Sequence, residues 1–218
     1  MTELDRKAWL FAFCFCGVLA TGAATAGPPD PANSECPGPC IMIVGHNGVV
    51  GDPAGEYCVT VRDFNNVPVV NTPVVIDFSN CDVDLCADQM DSDVHVDCGL
   101  QTLRRQTDAA GRACFRVIGK TRPGLGCTGA PNPCVEVFWD TGFLCALYPP
   151  TFDLVNEPGT GVSGNDLSEF LHQFLDCGVY LTRIDYNGNK EIDGDDLAQF
   201  LRVFFAGGSV RNCPGKCP

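Results

Sequence analysis

Basic side chains are scarce in this chain: 14 Lys and Arg stand against 27 Asp and Glu in 218 residues, a formal net charge of −13. Affinity for phosphate backbones rests on clustered Lys and Arg, so the composition argues against a nucleic-acid partner. Apolar runs of membrane length are also missing. The longest, Ala8 to Ala20, has 13 residues, short of the about 20 that a spanning helix needs. No Cys-x-x-Cys occurs, which argues against thioredoxin-like redox work. Catalytic signatures fail on inspection. Gly119-Lys-Thr121 has Cys114 where a phosphate loop needs its first glycine. Gly161-Val-Ser163-Gly164 has Asn165 where a nucleophile elbow needs glycine.

Cysteine, by contrast, is abundant. Fifteen in 218 residues exceeds what a reducing cytosol usually holds as structural thiols, and points to an oxidising compartment. The first 26 residues fit export. Arg6 and Lys7 precede the apolar run, and Ala24-Thr25-Ala26 follows as a small-x-small cleavage site. With 45% hydrophobic residues the remainder is too apolar for wholesale disorder. The expected product is secreted or surface-exposed and not membrane-spanning after signal cleavage. Cys14 and Cys16 leave with the signal, so an odd number of cysteines remains.

Residues 40–152 read as strands. Glu56 to Asp63 alternates, with Tyr57, Val59 and Val61 on one face; Asn65-Asn-Val-Pro68 is a turn, and Pro73 to Phe78 is a second strand. Leu100 to Arg105, Ala113 to Ile118, Cys134 to Trp139 and Gly142 to Tyr148 follow, with a turn at Asp108 to Gly111. About seven short strands with Gly, Pro and Asn punctuation predict an antiparallel β-sandwich. The order Tyr57-Cys-Val-Thr-Val-Arg-Asp63, Asn65-Asn-Val-Pro-Val69, Val74-Val-Ile-Asp-Phe78 and Thr107-Asp-Ala-Ala-Gly-Arg-Ala-Cys-Phe115 resembles a bacterial Ig-like domain of the invasin/intimin type. The resemblance covers roughly 40–120, and departs from the family in its cysteines and in the insert at 81–98.

Beyond Asp153 the periodicity becomes helical, and a segment recurs. Gly164 to Leu175 aligns with Gly194 to Phe205 at an offset of 30, with six of twelve positions identical. Leu167, Phe170, Leu171, Phe174 and Leu175, like Leu197, Phe200, Leu201, Phe204 and Phe205, fall at i, i+3, i+4, i+7 and i+8. Each set makes one apolar helix face, and the two faces are expected to pack together. Immediately before the second helix stands Asp185-Tyr-Asn-Gly-Asn-Lys-Glu-Ile-Asp-Gly-Asp-Asp196. Calcium loops of the EF-hand kind take oxygens at positions 1, 3, 5, 7, 9 and 12. Here these are Asp185, Asn187, Asn189, the carbonyl of Glu191, Asp193 and Asp196, with Ile192 as apolar anchor. Position 6 is Lys190 rather than glycine, so a residue with a Cβ must make the sharp turn.

Asp at position 12, the Asp-Leu-x-x-Phe-Leu helix start and the duplication together resemble a type I dockerin over about 153–210. The resemblance implies a small helical module of paired loop-helix repeats, Ca²⁺ as cofactor, and a cohesin-like or cell-surface protein as partner. In the helix-anchored register the first loop keeps Val162 and Asp166 but sets Val155 and Gly159 at positions 1 and 5. One strong calcium site and one weak or absent site are therefore expected.

Disulfides are the default for the remaining cysteines. Cys58 with Cys114, and Cys177 with Cys213, are the pairings that geometry suggests. One cysteine must stay free or bridge molecules. The stretch 81–98, with Cys81, Cys86, Cys98, His95 and six aspartates, admits a zinc site or a further calcium site, but export favours a disulfide-pinned, solvated loop. His46 and His172 have no evident partners in the sequence. The organisation expected is a signal at 1–26, a linker at 27–39, the sandwich at 40–152, the dockerin-like module at 153–210 and a Cys/Pro tail at 211–218. Its function is expected to be non-enzymatic binding, adhesion or extracellular assembly. A glycan-binding or polysaccharide-degrading role is the alternative, and the shortage of tryptophan, with only Trp9 and Trp139, weighs against it.

Overall fold

The computed structural model describes residues 26–43, 55–122, 127, 133–140, 142–155, 161–205 and 217. Among the described residues the protein is mostly β, with antiparallel sheets and two α-helices. Its strands are β1 (Glu56–Thr60), β2 (Pro73–Asp77), β3 (Val83–Leu85), β4 (His95–Asp97), β5 (Thr102–Gln106), β6 (Arg112–Arg116), β7 (Gly119–Thr121), β8 (Val135–Trp139) and β9 (Gly142–Leu147). The helices are α1 (Gly164–Leu175) and α2 (Gly194–Phe205). The five-stranded sheet runs β4-β5-β2-β8-β9, and β1-β6 and β3-β7 form two-stranded sheets.

Period-two alternation explains how these sheets meet. Tyr57 and Val59 from β1, Ala113 and Phe115 from β6, Val74 and Ile76 from β2, Leu103 from β5 and Val135 and Val137 from β8 all enter one buried cluster. Residues i and i+2 of a strand share a face, so the two sheets bury their apolar faces together. The aspartates of the strand-and-turn pattern hold its corners. Asp63 accepts from the backbone N–H groups of Gly27, Asn65 and Val67 at 2.7, 2.9 and 2.8 Å. These bonds hold its carboxyl below the usual range, those of Gly27 and Val67 most strongly. Asp108 accepts from Arg112 and Ala110 in the second turn, with the same effect. Gly111, at φ 73°, lies so close that a Cβ would sit 2.5 Å from the carbonyl oxygen of Val61.

The insert at 81–98 is structured. It supplies β3 and β4, and three of its six aspartates pair with arginines: Asp84 with Arg122 at 3.3 Å, Asp91 with Arg116 at 3.5 Å, and Asp93 with Arg105. Cys81 bonds Cys134, Cys98 bonds Cys217, and Cys86 is also disulfide-bonded. The zinc set Cys81, Cys86, His95 and Cys98 is therefore overturned, because its three sulfurs are spent in disulfides. Cys58 pairs with Cys114 as expected, the two standing opposite each other on β1 and β6. Cys177 bonds Cys127 instead of Cys213, and Cys213 lies outside the described residues. Cys36 bonds Cys145, and Cys40 is the free cysteine among the described residues.

The helices build a second core with help from the β region. Phe170 and Phe200, both fully buried, stack at 5.0 Å, and Phe152 stacks on Tyr186 at 4.2 Å. Cys86 and Ile118 belong to the same cluster. The helices thus pack on each other and on residues beside β3 and β7. At their C-terminal ends the apolar stripe runs out, leaving Leu175 69% and Phe205 76% exposed. Among the described residues no helix is long and apolar enough to cross a membrane.

Candidate metal centre

The segment between the helices carries the acidic loop. A short 3-10 turn at Thr182–Ile184 delivers Asp185 into it, and α2 begins at Gly194, so Asp196 lies in the first helical turn. A carboxylate there meets the free N–H groups and the positive end of the helix dipole. Asp185 and Asp196 are buried, 1% and 0% exposed. Asp185 accepts from the N–H groups of Gly188 (2.7 Å) and Lys190 (2.9 Å) and from the hydroxyl of Tyr180. Asp196 accepts from Tyr186 N–H through one oxygen (2.8 Å) and Asp193 N–H through the other (3.0 Å).

Its remaining oxygen-bearing side chains fold the loop. Asn187 accepts from Asn189 N–H (2.8 Å), Asn189 from Glu191 N–H (2.7 Å) and Asp193 from Asp195 N–H (2.8 Å). Such bonds two residues on are what Asn and Asp favour in turns. Lys190 takes φ 71°, the left-handed conformation its position requires. Asn187, Asn189 and Glu191 are exposed, so the structure brings Asp185 and Asp196 into the interior and arrays the others along the rim.

Electrostatics at the centre are one-sided. Burial raises the carboxyl of Asp196, and the charge of Asp185 raises it further, against the lowering by its backbone hydrogen bonds. Among the described residues neither acid forms an ion pair with a basic side chain; the ion pairs all lie elsewhere. Cys40 lies beneath the loop, its Sγ 3.9 Å from the carbonyl oxygen of Asp185. Burial, then Asp185 and Asp196, push its thiol up to about 12. Gly188 touches the same place: a Cβ there would lie 2.5 Å from Cγ of Pro39 and 2.6 Å from Sγ of Cys40. Tyr186 donates to the carbonyl of Thr151 at 3.0 Å, and Thr151 N–H donates to the carbonyl of Arg183 at 2.9 Å. The loop is thus seated on the segments around residues 39–43 and 148–153.

Before α1 the same hydrogen-bond scheme recurs. Asp166 accepts from Leu154 (2.6 Å) and Val155 (2.9 Å) through one oxygen and from Ser163 (2.6 Å) through the other. Leu154 therefore takes the place of Tyr186, and Asp153 that of Asp185. The first loop is two residues longer, which differs from the helix-anchored register that set Val155 at position 1. Asn156 and Glu157, which with Asp153 could supply oxygens only through an irregular first loop, lie outside the described residues.

Two other groupings have ligand atoms close together: Cys127, His172 and Cys177, and Glu56, Cys58 and Cys114. Both contain a disulfide, which withholds the thiolates that a soft metal would take. His172 is not partnerless, as the sequence suggested. Its Nδ1 lies 3.1 Å from Oδ2 of Asp176, and its Nε2 3.9 Å from Sγ of Cys127. The spacing of four residues to Asp176 was visible in the sequence; the approach of Cys127 was not. No family model, no curated protein and no solved structure matches this chain.

Proposed function

We propose that this is an exported, calcium-binding modular protein that works by binding and extracellular assembly rather than catalysis. In this reading an Ig-like β-sandwich carries a dockerin-like module, and Ca²⁺ is held by Asp185, Asn187, Asn189, the Glu191 carbonyl, Asp193 and Asp196. The observation that carries it is the buried pair Asp185 and Asp196, which repel one another without a basic partner among the described residues. Burying unpaired carboxylates is costly, and a hard divalent cation with oxygen ligands offsets that cost. A cohesin-like or cell-surface protein is the partner class that the dockerin resemblance suggests. The five disulfides between described cysteines suit the oxidising compartment that export implies.

The test is thermal melting of the full chain across a calcium titration. Calcium should raise the melting temperature, because ion binding and folding of the loop are linked. An unchanged transition up to low-millimolar calcium, or an equal rise in Asp185→Ala, removes the site.

A second reading, glycan binding, draws support from the outer face of the five-stranded sheet. There His95, Arg104, Val75, Phe138 and Phe143 are cross-strand neighbours in one row. Phe138 and Phe143 meet edge to face at 5.8 Å, and Phe143 is 51% exposed. Pull-down of the full chain on insoluble polysaccharides, with Phe143→Ala as control, separates this reading from the first.

A further inference from the structure

The Cys127–Cys177 disulfide differs in its surroundings from the other disulfides between described cysteines. Cys177 follows α1 directly and Cys127 lies on the connection between β7 and β8, so the bond ties the end of the helix to the β region. His172, in the last turn of α1, sets Nε2 3.9 Å from Sγ of Cys127 and Nδ1 3.1 Å from the Asp176 carboxylate. The carboxylate orients the ring, and the far nitrogen then faces sulfur. An imidazole so placed can stabilise and protonate a departing thiolate. At Cys58–Cys114 the situation is different: Arg112 donates a hydrogen bond to Sγ of Cys114 at 3.6 Å, but a guanidinium stays protonated and cannot serve as a general acid, and the Glu56 carboxylate lies beside the sulfurs.

We propose that Cys127–Cys177 is an exchangeable disulfide, opened by soluble thiols, with His172 as the acid that serves Cys127 and Asp176 as its positioning residue. The thiolate of the incoming molecule attacks Sγ of Cys177. A new S–S bond forms there, the Cys127–Cys177 bond breaks, and the electron pair leaves on Cys127, which takes the Nε2 proton of His172. A second thiolate attacks the incoming sulfur of the mixed disulfide, releases Cys177 as a thiolate and leaves as the oxidised dimer. Two electrons pass from two thiols to the cysteine pair. The outcome is a helix end released from the β region while Cys36–Cys145, Cys81–Cys134 and Cys98–Cys217 keep the rest closed.

The experiment uses the full chain in a glutathione series at neutral pH, quenched by alkylation and mapped by mass spectrometry. Cys127 and Cys177 should become alkylated before Cys36, Cys145, Cys81 and Cys134, and the first glutathione adduct should sit on Cys177. His172→Gln should slow this opening at least about tenfold, the low end of general-acid effects being larger still, and leave the other disulfides unchanged. Asp176→Asn should slow it less. Both side chains are exposed, 50% and 68%, so the variants should melt as the parent does. Equal opening rates in parent and His172→Gln, a first adduct on Cys127, or earlier opening of another of these bonds would overturn the assignment.

Discussion

Gly188→Ala places a Cβ where the structure has no room for one. The atom would lie 2.5 Å from Cγ of Pro39 and 2.6 Å from Sγ of Cys40, on a backbone at φ 71°. The left-handed conformation costs a residue with a Cβ about 1–2 kcal/mol, and overpacking of this kind adds about 1–3 kcal/mol. Gly178 supplies the control: its φ is 60°, and nothing lies within 4 Å of a Cβ there. Gly178→Ala should therefore show the conformational part alone. The difference, about 2 kcal/mol, corresponds to about 4–8 °C in melting temperature for a chain of this size. Circular dichroism melts of both variants in chelator measure it without contribution from metal. Equal melting temperatures would refute the seating of the loop on Pro39 and Cys40.

Three other outcomes follow from the same structure. Phe200→Ala empties the centre of the aromatic stack and should cost about 3–5 kcal/mol, whereas Phe205→Ala, on a side chain 76% exposed, should change stability by less than about 0.5 kcal/mol; chemical unfolding of both decides it. Asp63 and Asp108 have carboxyls held below their ordinary value of 3.8 by backbone N–H groups. Their stabilisation is complete above 3.8 and is lost as pH falls through the lower folded values, so Asp63→Asn should flatten part of the acid side of the stability profile. An identical profile in parent and variant would count against it. Cys40, with its thiol pushed up to about 12, should react with iodoacetamide far more slowly in the native chain than in urea; equal rates would place it elsewhere.

Much of the architecture was legible in the sequence because its periodicities are clean. The helices span Gly164–Leu175 and Gly194–Phe205, the segments marked by the repeat. β1 lies where alternation marks it, and β2, β6 and β8 lie within the runs 73–78, 112–118 and 134–139 that turn residues bound. β3, β4 and β7 are not legible in the sequence, since strands of three residues carry no period, and the arginines that pair with Asp84, Asp91 and Asp93 are distant in sequence. The helical stripe predicts one packing face, but its last members, Leu175 and Phe205, stay outside the buried cluster. The acidic loop from Asp185 to Asp196, leading into α2, was legible from spacing alone. Its seating on Cys40, the register that places Asp153 opposite Asp185 in scheme, and the meeting of His172 with Cys127 were not. Each depends on contacts between segments that no local pattern encodes.

Calorimetric titration of the full chain with calcium tests the central claim most directly. Saturable binding is expected with Kd below about 1 mM, in the range of extracellular calcium modules or tighter, and its loss in Asp185→Ala. Heats of dilution alone in the parent chain, or undiminished binding in the variant, would contradict it.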